Sequence, residues 1–242
     1  MILALETATK ACSAALCAAD GSIVAETVAL EGPAHTERLL PGVHEVLETA
    51  AASWSDVGTV AVGLGPGAFT GLRIGVATAR ALAQADGRVR LVGVPTLAAL
   101  ALALAHSPEA VARRPLVALI DGKRHEVFAA VYAADETGGV RVVEGVTVVP
   151  AGELTARLLR LGDVLVGGDG AVVYGDLLPA TARVAAGVLA PTAAMVAKAV
   201  ARGVPGLVVG PGAVLPLYGR TPDAARWSGA RAARPVDSGG AP

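Results

Sequence analysis

Hydrophobic and polar positions along the 242-residue chain follow two rhythms: short apolar runs bounded by turn residues, and longer stretches with an apolar face every three or four positions. Residues 2–5, 11–18 and 23–30 read as three successive strands, the last two joined at a turn through Asp20 and Gly21. A helix over 36–51, a strand over 57–62, a glycine-rich turn, a helix over 71–85, a strand over 91–94 and a helix over 96–105 follow. His106, Ser107 and Pro108 close this half. Strands over 116–120, 126–133 and 140–148 then restart the order, with a turn at Gly138-Gly139, a helix over 152–161, a strand over 164–166 and a helix over 192–202. The unit βββαβα occurs twice, which predicts an α/β protein of two lobes, 1–106 and 107–219, facing each other across a cleft. Beyond them, Arg220, Arg226, Arg231 and Arg234 stand among Pro, Gly, Ala and Ser without apolar period, so 220–242 is expected to be a loosely ordered tail.

Composition narrows the function classes. At 53% hydrophobic the chain can fill such cores, but with a net charge of -1 and 17% charged residues it has no field that would hold a polyanion unaided. Any contact with nucleic acid needs a partner. The uncharged run 91–108 is broken by Gly93 and Pro95 and reads as a strand and a buried helix, not a membrane span. The opening MILALETATK lacks the basic and cleavage regions of a signal peptide, so the cytoplasm is the expected location. Cys12 and Cys17 are five apart in a strand and should point to opposite sheet faces, unable to pair. His35, His44, His106 and His125 are scattered, and no metal site is expected.

The stretch GLGPGAFTGLRIG, residues 63–75, poses the main chemical question. It lacks the lysine of a P-loop, and its G-x-G-x-x-A pattern is followed by Arg88-Val89-Arg90 where a dinucleotide site needs an acid. As the approach to a helix it makes better sense. Gly71, Gly75, Ala79 and Ala83 recur every four residues and give one nearly bare face, with Leu72, Val76 and Leu82 beside it. Spacing alone leaves open whether that face packs on the protein's own sheet or docks another helix. The preceding helix carries Leu39, Leu40, Val43, Val46 and Leu47 on a broad apolar stripe and should bend at Pro41. Glu6-Thr7 after the first strand, and Asp121 in the turn Asp121-Gly122-Lys123-Arg124-His125-Glu126, are candidate nucleotide or phosphate contacts, although a solvated hairpin is the commoner explanation of the second. No Gly-x-Ser-x-Gly elbow or His-paired cysteine suggests a nucleophile.

These residues resemble the TsaB family, also called YeaZ, along nearly the whole chain. The resemblance rests on ILALETAT and ACSAAL near the start, HTERLLP at 35–41, GLGPGAFTGLRIGVATARALA at 63–83, GVPTLAALA at 93–101, DGKRHEVFAAVY at 121–132 and PLYGR at 216–220. It implies two RNase H-like lobes of the actin/Hsp70/sugar-kinase (ASKHA) type. It also implies a non-catalytic subunit of the machinery that forms threonylcarbamoyladenosine beside the anticodon of tRNAs reading codons that begin with adenine. In that picture the subunit forms a homodimer in isolation, pairs with the catalytic paralogue TsaD, joins the ATPase TsaE, and meets tRNA through the complex. No intrinsic cofactor is implied, with ATP or ADP a candidate only at the complex interface.

By resemblance, the subunit contact would be made by His35, Glu37, Arg38, Leu39, Leu40, Val43 and Leu47 of one helix and Gly71, Leu72, Arg73, Gly75, Val76, Ala79 and Ala83 of the next. Glu6 stands where family members often carry Asp, and the added methylene would displace a carboxylate meant for a metal-bound phosphate. The close histidine pair of TsaD is missing, since His35 and His44 are nine apart. A competing expectation is an ATPase or small-molecule kinase using Glu6, Thr7 and Asp121 in the cleft, and a third is a dimer without ligand.

Overall fold

The computed structural model describes residues 1–30 and 35–219, so the expected tail 220–242 lies outside the described residues. Strands β1 (Ile2–Glu6), β2 (Cys12–Cys17), β3 (Ile23–Ala29), β4 (Thr59–Gly63) and β5 (Arg90–Val94) form a first sheet, completed by the short β11 (Val208–Val209). Its order is β11-β5-β4-β1-β2-β3. The β1–β2 and β2–β3 pairs are antiparallel, and β1, β4 and β5 run parallel. Parallel neighbours need a crossover, which α2 (Phe69–Ala85) supplies between β4 and β5, while α1 (His35–Thr49) links β3 to β4 and α3 (Thr96–Ala105) leaves β5.

The second sheet repeats the plan. Its strands β6 (Leu116–Lys123), β7 (Glu126–Ala134), β8 (Val140–Pro150), β9 (Val164–Gly167) and β10 (Ala182–Val184) run in the order β10-β9-β6-β7-β8. The helices are α4 (Ala151–Leu161), α5 (Asp169–Val173) and α6 (Ala193–Arg202). Equal element order and equal strand order make this a duplicated RNase H-like fold of the ASKHA type. The repeat unit is βββαβαβα, longer than the expected βββαβα, because the five-residue α5 and three-residue β10 are too short to show a period. The two-residue β11 was also missed, and it carries the chain after 207 back to β5 in the first sheet, so the sheets do not divide cleanly at 106.

Three apolar cores stack the layers. Helices α1 and α2 cover the outer face of the first sheet through Leu3, Leu5, Leu39, Val43, Val46, Val62 and Val76. Helices α4 and α5 cover the outer face of the second through Leu119, Val127, Leu154, Leu158 and Val166. Between the sheets lie α3 and α6, exchanged: α3 packs on β6–β9, and α6 packs on β1, β2, β4 and β5. This explains why α3, TLAALALALA, is apolar all round: it is walled in on every side, with eight of its ten residues buried. Cys12 belongs to the outer core and Cys17 to the central one, so the two thiols face opposite sides of the sheet as expected, and both are free. Burial pushes the Cys17 thiol up to about 11. No helix among the described residues is long and apolar enough to cross a membrane.

Candidate functional site

The end of β1, the glycine-rich turn and the start of α3 meet at one point on the seam between the lobes. Glu6 is fully buried there. Its Oε1 accepts the backbone N–H groups of Thr7 and Ala8, both at 2.7 Å, and its Oε2 accepts the Thr96 hydroxyl at 3.0 Å. The Thr96 hydroxyl in turn accepts the Gly65 N–H at 3.1 Å, which ties the turn to the carboxylate. Further backbone bonds run from Ala68 to Ala8 O, from Leu64 to Val94 O and from Thr96 to Gly65 O. The turn is thus laced to β1 and β5, and of its glycines only Gly65 uses positive φ, at 97°.

Burial drives the Glu6 carboxyl up to about 7, against the lowering effect of its hydrogen bonds, and the charge of Asp169 adds to the rise. Thr7 is equally buried and donates its hydroxyl to Gly71 O at 2.9 Å. These two candidate phosphate contacts therefore brace the turn from inside the chain. A ligand could reach Glu6 only by breaking those bonds.

Across the seam, Asp121 lies near the end of β6, two residues before Lys123. It accepts hydrogen bonds from its neighbour Lys123 and, at 3.3 Å, from the Tyr174 hydroxyl. Burial raises its carboxyl, but the bonds and charge of Lys123 more than offset this and hold it below the ordinary range. Asp169, at the head of α5, accepts the Asp121 N–H at 3.1 Å. Burial, aided by the Asp121 charge, lifts Asp169 to about 6. Sequence reasoning missed Asp169 because its helix is too short to announce itself, though the strand-Gly-Gly-Asp step at 164–169 mirrors the strand-Gly-Leu-Gly step at 59–65. Among the described residues no group of three His, Cys, Asp or Glu side chains is placed to hold a metal ion.

The two helices expected to form a subunit contact lie side by side on the outer face of the first sheet, and here the structure corrects the sequence. The bare face of α2 is not free. Gly71, Leu72, Gly75, Val76, Ala79 and Ala83 are all buried, and a Cβ on Gly75 would overlap the Thr7 hydroxyl. The physical reason is the crossover: α2 joins two parallel strands and must lie on their sheet, and its missing side chains let the backbone sink to the end of β1. Leu39 and Val43 of α1 also belong to the core, with Leu47 packed partly against it. His35 is half-buried, its Nε2 2.9 Å from Thr9 O.

The opposite flanks remain open. Glu37, Arg38 and Leu40 on α1, and Phe69, Thr70, Arg73, Ala77 and Ala81 on α2, face solvent. Leu40 is 54% and Phe69 50% exposed, high values for large apolar side chains. The Arg73 guanidinium sits 4.3 Å above the Phe69 ring and donates to the Tyr218 hydroxyl at 3.1 Å, while Phe69 and Tyr218 stack with centroids 4.9 Å apart. An aromatic and cationic cluster thus borders the two helices.

The family model described as TsaD: tRNA N6-adenosine threonylcarbamoyltransferase matches residues 20–156. The tRNA threonylcarbamoyladenosine biosynthesis protein TsaB of Escherichia coli (strain K12) is 40% identical over 137 residues, 57% of this chain and 57% of that protein. The protein of the same description in Haemophilus influenzae is 35% identical over 52% of this chain and 51% of its own length. The aligned part thus spans about half the length of these curated relatives. Solved structures match over more of the chain. YeaZ from Pseudomonas aeruginosa superposes with a TM-score of 0.70 and 32% identity over 90% of this chain and 98% of its own. A second chain, described as an uncharacterized protein with similarity to peptidase YEAZ from the same organism, gives 0.72 and 31% over 90% and 99%. With the duplicated fold, the glycine-rich turn and these matches together, the chain belongs to the TsaB (YeaZ) family.

Proposed function

We propose that this protein is a non-catalytic scaffold subunit in the biosynthesis of threonylcarbamoyladenosine in tRNA, which binds and stabilises the catalytic paralogue TsaD and recruits the ATPase TsaE. The observation that carries this reading is the closure of Glu6 and Thr7. Both are fully buried and bonded within the chain, at the position where an enzyme of this fold would present an acid and a hydroxyl to phosphate. The match to the TsaD family model supports the pathway, and the TsaB relatives support the kind of subunit.

The docking surface is assigned to the open flank of α1 and α2, not to the glycine face. Phe69, Arg73, Ala77 and Ala81 recur every four residues on the exposed side of α2, and Leu40 is exposed on α1, so a helix from a partner could lie close along the small residues of α2. A second copy of this chain would use the same flank in isolation, with TsaD competing for it.

The test is co-purification with TsaD, followed by tRNA modification in a mixture of TsaD, TsaE, tRNA and threonylcarbamoyl-adenylate. Leu40→Arg and Ala77→Arg should each abolish the complex and the modification while leaving thermal unfolding unchanged. Binding that survives both changes overturns the assignment of the flank. Nucleotide hydrolysis by the isolated chain that is lost in Asp121→Ala would replace the scaffold reading with that of an enzyme.

A further inference from the structure

A cavity of about 680 Å³ opens between the lobes at the end of the molecule away from Glu6. Its place follows from α3, whose first residue, Thr96, holds Glu6 and whose C-cap, His106, lines the cavity. Ten residues of helix put the two ends about 15 Å apart. The walls come from both lobes: the β2–β3 turn on one side, α3 and α6 on the floor, and the segment before α6 on the other. Leu102, Ala103 and Met195 give the floor an apolar surface. The volume is in the range of pockets that hold small organic ligands, roughly 300–1,000 Å³.

Charge gathers at one end of this cavity. Lys198 and Arg202 are one turn apart on α6 and both line it, and among the described residues neither closes an ion pair. His106 joins them. Its Nδ1 lies 2.9 Å from Leu102 O, which can only accept, so Nδ1 donates, and Nε2 can donate to an anion only in the imidazolium form. Nε2 and an Arg202 terminal nitrogen each come within 3.8 Å of the point a Cβ on Gly138 would occupy, so the two groups converge. The wall beside them is firm, since a Cβ on Gly21 would stand 3.0 Å from Ala201 and 3.2 Å from the Lys198 backbone.

Two acids also line the cavity. Glu26 accepts the Ala194 N–H, one turn of α6 (about 6 Å) before Lys198 and two turns (about 12 Å) before Arg202. Asp20 accepts the Ser22 N–H and hydroxyl in the turn. The lining thus holds two cations, Lys198 and Arg202, and two carboxylates, Asp20 and Glu26; both carboxylates already accept hydrogen bonds, whereas Lys198 and Arg202 close no ion pair among the described residues.

We propose that this rear interlobe cavity binds a small organic anion, with its carboxylate or phosphate on Lys198, Arg202 and His106 and its apolar body on Leu102, Ala103 and Met195. The ligand touches both lobes, so its binding fixes their spacing. This site is separate from the docking flank on α1 and α2 and does not rest on the scaffold reading.

Two probes report on it: 8-anilinonaphthalene-1-sulfonate by fluorescence, and phenyl phosphate by calorimetry. Each should bind the full chain at one saturable site and compete with the other, whereas inorganic phosphate and phenol should compete far more weakly. The double variant Lys198→Glu/Arg202→Glu changes only exposed side chains and should weaken both probes roughly tenfold or more. Ala103→Phe, which fills the floor, should weaken them with the charges intact. Arg160→Glu on α4 serves as the distant control and should change nothing. Non-saturable binding, unchanged affinity in both cavity variants, or inorganic phosphate competing as well as phenyl phosphate would each overturn the proposal.

Discussion

Glu6 and Gly63 end two neighbouring parallel strands and share one space: a Cβ built on Gly63 would overlap the Glu6 carboxylate. The glycine is required here by proximity, not by an unusual backbone angle. Gly63→Ala would push the carboxylate off Thr7, Ala8 and Thr96 and should cost about 2–4 kcal/mol of stability, read from the urea midpoint at unchanged m. In Glu6→Ala the same Gly63→Ala change should cost much less. Additive effects of the two changes would deny that they share a site.

Buried acids give the stability a pH slope of defined sign. Glu6 rises from 4.5 to about 7 and Asp169 from 3.8 to about 6 in the folded protein, chiefly through burial. The folded state therefore holds these protons more tightly than the unfolded state does. Their contribution is fully present below the unfolded values and is lost as pH rises through the folded ones. Between about pH 4 and 7 the unfolding free energy of Glu6→Gln should fall less steeply than that of the parent chain, with a difference on the order of a few kcal/mol across the window. Parallel curves would show that Glu6 does not titrate there.

The hairpin between β6 and β7 carries Lys123, Arg124 and His125 at φ 61°, 53° and 58°, three successive left-handed residues of which none is glycine. The two-residue loop Arg124-His125 has positive φ at both positions, as a type I′ hairpin turn demands, without the Asn-Gly pair that turn favours. Arg124→Asn with His125→Gly should raise stability by about 1–2 kcal/mol. Differential scanning calorimetry checks this, and a drop in melting temperature would mean that the two side chains hold the turn.

Gly75→Ala weighs helix propensity against packing. Alanine favours the helix by about 1 kcal/mol, but its methyl would meet the Thr7 hydroxyl, which Gly71 O holds in place. Overpacking of about 1–3 kcal/mol should win, giving a net loss that shrinks when Thr7→Ala is added. A stabilised Gly75→Ala protein would mean that α2 can lift from the sheet.

Much of the fold could be read from apolar periodicity, and the failures have physical causes. The strands β1, β4 and the first five residues of β6, and the nearly all-apolar α3, are legible because unbroken runs of Ile, Leu, Val and Ala mark elements buried on both faces. The elements α5, β10 and β11 escaped because two to five residues hold no complete period. The glycine face of α2 was visible, but what it packs on was not, since spacing gives the shape of a face and not the identity of its neighbour. Asp169 and Thr96, which set the charge and bonding of the seam, are joined to Asp121 and Glu6 only through tertiary contacts that no local pattern encodes.

The exchange of α3 and α6 means that neither half of the duplicated chain closes the central core, although each has an outer core of its own. Severed between 106 and 107, each fragment would carry a helix suited to the other's sheet and a bare sheet face of its own, and the pair would fold only on meeting. The two lobes are thus halves of one cooperative unit, and a domain built this way melts in a single step although its blueprint is written twice.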